Sequence, residues 1–176
     1  MSGPFRKGTG SISALHLIGI DPNKLGAMEA YALAVSRSLL ARGDGSLVGF
    51  LALPPSWLQE RFNKEGVDVV AFDPRGKTLP AFVSMRRWIR ARKINIVHVT
   101  FHNIYSPLLP AATAGTSARL IYSDQVSRIA RPAKGMRTGL RFVRNRLIQS
   151  AIHAMVADAE FIRGCQIDRK STRLNS

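Results

Sequence analysis

The sequence predicts a three-layer α/β domain in which helices cover both faces of a mainly parallel sheet. Short apolar runs of strand length recur six times along its 176 residues. They read as near-continuous hydrophobic stretches, the pattern of strands buried on both faces. Between them lie segments whose apolar residues are spaced by three and four, the helical period. Strands alternating with helices over this length fold as one domain around a parallel sheet.

Ile12–Ile20 (ISALHLIGI) is the first strand, and its nine residues are too few to span a bilayer. The turn-rich stretch Asp21-Pro22-Asn23-Lys24-Leu25-Gly26 leads into a helix over Ala27–Arg42. Ala32, Leu33, Leu39 and Leu40 share one face of that helix, and Gly43 terminates it. Ser46–Leu53 is the second strand, closed by Pro54-Pro55, and a shorter helix over Ser56–Glu65 ends at Gly66. Val67–Phe72 is the third strand, and Leu79–Lys93 a helix carrying Phe82, Met85 and Ile89 under a basic outer face. Ile94–Phe101 is the fourth strand, followed by a helix around Ser106–Ala114. Arg119–Ser123 is the fifth strand, Met136–Ser150 a helix and Ile152–Ala157 the sixth strand. This order is Rossmann-like.

Hydrophobic residues at 45% and charged residues at 21% suit a globular protein. The single cysteine, Cys165, excludes an internal disulfide framework and a cysteine-cluster metal site, and points to the cytoplasm. Residues 1–11 are polar and glycine-rich, with no secretory signal, and read as a flexible tail. The folded domain is expected over residues 12–167. Asp168–Ser176 shows no apolar period and no cap, and the codons GAT CGG AAG AGC ACA CGT CTG AAC TCC, which resemble a sequencing-adapter read, would encode it. The expectation is a non-native tail on a domain truncated near Ile167. Without that tail the net charge falls from +15 to +13, with 23 Lys and Arg against 10 Asp and Glu.

Two places could carry chemistry. The loop entering the first helix, Asp21 to Glu29, would present free backbone N–H groups and the positive end of a helix dipole. That suits a phosphate or sugar hydroxyls, although a plain strand-to-helix connection is the other reading. The dinucleotide fingerprint G-x-G-x-x-G is absent, and Gly8-Thr9-Gly10 precedes the strand. A nicotinamide or flavin enzyme is therefore disfavoured. His98 stands near the carboxyl end of the fourth strand, where open α/β sheets bind ligands. Alternation places His98, Thr100 and His102 on one side. A hydrogen-bonded core histidine is the plainer reading of His98.

Four segments carry a family resemblance: Leu15-His16-Leu17-Ile18 with Gly26-Ala27-Met28-Glu29 and Leu39-Leu40-Ala41-Arg42-Gly43; Asn95 to His102; Leu120 to Gln125; and Ala154 to Ile162. Their order and spacing resemble the N-terminal domain of glycosyltransferase family 4, the retaining enzymes of GT-B architecture. Gly26, Glu29 and His98 match the family pattern. Ala27 replaces a second glycine, Asn95 and Thr100 depart from the usual residues, and Gln125 stands where a histidine is common. Asp158 takes the place of a small or hydroxyl residue and reads as a helix N-cap.

The resemblance implies a substrate-binding set of Gly26, Ala27, Glu29, His98, His102 and Gln125, with no catalytic residue assigned. It also implies a nucleotide-sugar co-substrate, no cofactor and no metal, and an acceptor that is a glycan or a lipid. The donor would be held mainly by a C-terminal domain outside this chain, so the chain alone would be inactive. A non-catalytic binding module of the same fold, or another nucleotide-binding Rossmann-like domain, are the alternatives.

A net charge of +15 calls for a polyanionic partner or a solvated basic surface. Seven basic and no acidic residues lie between Arg128 and Arg146. In the helical part Leu140, Val143 and Leu147 form an apolar row and Arg137, Arg141 and Arg144 a basic one. Arg86, Arg87, Arg90, Arg92 and Lys93 form a second cluster, with Trp88 and Ile89 beside them. Arg86, Arg87, Arg90, Arg137, Arg141 and Arg144 are the candidate contact with an anionic membrane surface, placing the protein at the inner face of the membrane. Nucleic acid is disfavoured, because no recognition motif is present.

Overall fold

The computed structural model describes residues 12–75, 78–104, 106–124 and 137–157. Among these described residues six strands and five helices alternate strictly: β1 (Ser13–Ile18), α1 (Ala27–Ala41), β2 (Gly45–Phe50), α2 (Ser56–Lys64), β3 (Asp68–Ala71), α3 (Thr78–Ala91), β4 (Ile96–Thr100), α4 (Leu108–Thr113), β5 (Arg119–Asp124), α5 (Arg137–Ser150) and β6 (Ala154–Ala157). Each element expected from the sequence is present, with its ends shifted by at most three residues. The strands form one sheet in the order β3-β2-β1-β4-β5-β6. Every neighbouring pair is parallel, so the sheet is wholly and not just mainly parallel.

Alternation along each strand divides the core in two. Leu15, Leu17, Leu47, Val97, Val99, Leu120 and Tyr122 point to one face, where Met85 and Ile89 of α3 and Leu109 and Ala112 of α4 cover them. Ile18, Val48 and Phe50 point to the other, under Ala32 and Leu33 of α1 and Leu58 and Phe62 of α2. Such a doubly covered sheet explains the unbroken apolar runs.

Three helices end the same way. After α1, Gly43 takes φ 79° and donates its N–H to Leu40, while Asp44 donates to Leu39. After α2, Gly66 at φ 74° donates to Asn63 and Val67 donates to Phe62. These are Schellman terminations, in which a left-handed residue turns the chain back onto the last carbonyls. At α3 the left-handed place is held by Lys93, at φ 50°, and Ile94 donates back to Ile89. The helix therefore stops at Ala91, short of the Lys93 expected from the sequence.

Candidate functional site

The strand order reverses between β1 and β4: the chain runs outward through β2 and β3, then returns to build β4, β5 and β6 on the other side. In open α/β sheets the crevice at such a reversal, outside the carboxyl ends of the strands, is where ligands bind. Four of the six residues expected to bind substrate stand in the elements around this point.

His16 of β1 and His98 of β4 are register partners. Both face the α1 side, because each is one residue out of phase with the leucines and valines that face α3 and α4. Their Nδ1 atoms are 3.4 Å apart, and His98 Nε2 lies 2.7 Å from the Ser123 hydroxyl of β5. A polar chain thus crosses three adjacent strands. The Tyr31 ring of α1 stands edge-on to His98 at 6.5 Å. Burial, and then the neighbouring His98, push the His16 pKa down to about 4. His16 is therefore neutral near pH 7, and its Nε2 is buried with no partner among the described residues. Neutral imidazole on His16 holds His98 by one hydrogen bond, leaving the His98–Ser123 pair able to both donate to and accept from a hydroxyl.

Gly26 is the N-cap of α1, in extended backbone. It has no side chain to occupy the N–H groups of the first turn, and Glu29, buried beneath it, accepts the Gly26 N–H through Oε2 at 3.0 Å. This is half of a capping box. Ala27 is the first helical residue and its side chain is exposed; its φ is not positive, so the missing second glycine costs no backbone strain here.

His102 does not share a side with His98. β4 ends at Thr100, and Phe101, at φ 60°, turns the chain out of alternation. Residues 101 and 102 cross over the end of β1, where a Cβ on Gly19 would lie 2.5 Å from the Phe101 carbonyl oxygen. Gly19 donates its N–H to Thr100, which ties the crossing down. His102 comes to rest edge-on to Phe72, just beyond β3, at 5.9 Å. Burial pushes its pKa down to about 4, with nearby Asp73 opposing and Arg75 assisting.

Sequence reasoning did not single out His16, Gly19, Tyr31 or Ser123. His16 had a signal: a lone polar residue in mid-strand. Gln125 and Asp158 lie outside the described residues. Among the described residues, no three His, Cys, Asp or Glu side chains are grouped so as to hold a metal ion.

The basic cluster of α3 splits in the structure. Arg86 Nη1 donates to the carbonyls of Ala111 and Ala114 at 3.3 and 3.1 Å, capping α4, and its guanidinium lies over the Phe82 ring. Arg87 and Arg90 are exposed. Trp88 packs on the core against Phe72, and Ile89 is buried. Arg137, Arg141 and Arg144 lie on α5.

No protein-family model and no curated protein matches the chain. Its fold is similar to that of Alr3699/HepE from Anabaena. Against the structure with UDP, the TM-score is 0.58 at 16% identity, covering 89% of this chain and 40% of that one. Against the structure with UDP-glucose, it is 0.55 at 16% identity over 88% and 40%. Against the structure with UDP and glucose, it is 0.55 at 15% identity over 89% and 41%. The chain thus spans about 40% of the length of the protein it matches. At this identity the likeness shows the fold: a Rossmann-like α/β domain with a six-stranded parallel sheet.

Proposed function

We propose that this chain is the acceptor-side domain of a GT-B glycosyltransferase of the family 4 type, part of an enzyme that moves a sugar from a nucleotide-sugar to an acceptor hydroxyl with retention. The observation that carries this reading is the His16–His98–Ser123 chain lying at the strand-order reversal. A neutral, buried His16 orients His98, and the His98–Ser123 pair offers both hydrogen-bonding senses that a sugar hydroxyl requires. Nearby, the glycine-capped start of α1 supplies N–H groups and a positive dipole end to an oxygen-rich ligand. That HepE was solved with UDP, UDP-glucose and glucose supports a nucleotide-sugar role for the fold. The nucleotide-sugar is a co-substrate, and the domain needs no cofactor in this reading. Most of the donor contact belongs to a further domain, and transfer is a property of the two together.

The test is titration of the isotope-labelled chain with glucose, a glucan oligomer, UDP-glucose, FMN and NADP, following histidine side-chain and backbone amide signals by NMR. Sugars are expected to shift the His98 ring signals and the amides of Gly26 to Glu29 in fast exchange, with FMN and NADP inert. Saturable binding of FMN or NADP with sugars inert would overturn the proposal in favour of another nucleotide-binding domain.

A further inference from the structure

The sheet face that carries His98 opens towards the β6 edge. Parallel register sets two rows of side chains across it, His16–His98–Ile121–Ala154 and Ile18–Thr100–Ser123–Val156. Burial falls along both rows. His16, Ile18 and Thr100 are buried, His98, Ile121 and Ser123 are half-buried, and Ala154 and Val156 are exposed, Val156 by 48%. On the opposite face Val97, Val99, Leu120 and Tyr122 are all buried, in the core that α3 and α4 cover. The direction of the crossovers explains the difference. On the His98 side α1 and α2 cover β1, β2 and β3, and the right-handed crossover from β5 to β6 carries α5 to the other side, with α3 and α4. Among the described residues, no helix lies over β5 and β6 on the His98 side.

We propose that this open face seats the apolar aglycone of a small glycoside acceptor. The proposal rests on the sugar-transfer reading and narrows its acceptor. The polar end of the face is the His98–Ser123 pair, where a sugar hydroxyl finds both a donor and an acceptor. Tyr31, 45% exposed and edge-on to His98, closes that end against α1 and gives the sugar ring an apolar wall. Beyond the pair, the floor becomes Ile121, Ala154 and Val156. With strands about 4.8 Å apart, β5 and β6 add about 10 Å of apolar floor, enough for a phenyl ring or a six-carbon chain. A longer glycan would set its hydroxyls against these three side chains, which offer no hydrogen bond. A second copy of the chain needs about 800 Å² on each partner, far more than three aliphatic side chains supply. A small molecule with one polar and one apolar end matches the whole face, and its apolar end need only be as long as the floor.

The experiment titrates the isotope-labelled 176-residue chain with methyl, phenyl and hexyl glucosides, following the His98 ring and the methyl signals of Ile121 and Val156 by NMR. All three glucosides are expected to shift His98. The phenyl and hexyl glucosides should bind about tenfold more tightly than the methyl, and they alone should shift Ile121 and Val156. Tighter binding by either supports the proposal, and the tighter of the two gives the shape of the aglycone. Val156→Thr should weaken phenyl glucoside about threefold and leave methyl glucoside unchanged. Val83→Thr, the same change at an exposed position of α3, should alter neither. Equal binding of all three glucosides would overturn the aglycone assignment and leave the sugar-transfer reading standing. No shift of His98 with any of them would overturn both. A concentration-dependent dimer lost in Val156→Thr would make this face a self-interface and would overturn the proposal as well.

Discussion

His16 and His98 face each other across the β1–β4 ladder with their Nδ1 atoms 3.4 Å apart, and only one proton fits between those two nitrogens. If His16 donates, its own Nε2 is a bare acceptor and His98 Nε2–H donates to Ser123. If His98 donates, the Ser123 hydroxyl donates to His98 Nε2. Both arrangements keep His16 uncharged, as its burial demands. The pair therefore carries one switchable hydrogen-bond direction to Ser123, where strands β4 and β5 run side by side.

Stability should fall on mild acidification. The folded-state pKa values of His16 and His102 are pushed down to about 4, from an ordinary value of 6.5. The folded state therefore binds fewer protons than the unfolded chain between those values. Its stabilisation is whole above pH 6.5 and is lost as the pH falls towards 4. Each histidine contributes a slope of up to about 1.4 kcal/mol per pH unit in that window. Urea unfolding from pH 7.5 to 4.5 would measure it, and His102→Leu should remove about one proton from the slope. A pH-independent midpoint would refute the assignment.

Gly19→Ala should be costly. A methyl group there meets the Phe101 carbonyl oxygen at 2.5 Å, and backbone on both sides has to shift. Forced overpacking of this kind costs about 1–3 kcal/mol. Denaturant unfolding gives that cost directly. The crossing segment should move as well, so the ring-current shift of His102 from Phe72 should change with it; neutral stability would contradict the crossing.

Lys93→Gly should stabilise the protein. Lys93 fills the left-handed position after α3 that Gly43 and Gly66 fill after α1 and α2. A side chain in that region costs about 1–2 kcal/mol, which the greater entropy of glycine in the unfolded chain partly offsets. The expected net gain is about 0.5–1 kcal/mol, read as a higher melting temperature. A loss would show that the Lys93 side chain has a compensating role.

The fold was legible because its punctuation was. Gly43 and Gly66 mark two helix ends, Pro54-Pro55 stands at the entry to α2, and unbroken apolar runs announce a sheet covered on both faces. The end of β4 was not legible, since a phenylalanine in left-handed backbone leaves no mark in composition. Alternation carried on through Phe101 then put His102 on the wrong side. The site was half legible: Gly26, Glu29 and His98 stand at the strand-order reversal, but the His16–His98 contact depends on which strands become neighbours, a property of the whole sheet. On α5 the helical period allows two inward faces, and only packing chooses the one with Ile148 over the one with Val143 and Leu147.

Tyr122→Phe should be harmless or slightly stabilising. The phenol is buried on the α3–α4 side, its hydroxyl has no partner among the described residues, and burial pushes its pKa up. An unpaired buried hydroxyl costs about 1–3 kcal/mol by mutational measures, and the phenyl ring keeps the packing. Thermal unfolding of the variant should show an equal or higher midpoint. A clear drop would mean that the hydroxyl is bonded.

Glu29 separates shape from charge at the start of α1. Its Oε2 accepts the Gly26 N–H at 3.0 Å, while a glycine N-cap offers no side chain of its own. Glu29→Ala removes that bond and leaves space beneath the loop, so it should cost about 1 kcal/mol and speed amide exchange at Gly26. Glu29→Gln retains an acceptor oxygen but not the charge that favours a helix N-terminus, so it should lose less, about 0.5 kcal/mol. The same two variants bear on binding. If the loop acts by its conformation, Glu29→Gln keeps the sugar-induced shifts at residues 26 to 29 and Glu29→Ala loses them. If both variants lose those shifts equally, the carboxylate itself contacts the ligand, and the role assigned to Glu29 as the support of the loop fails.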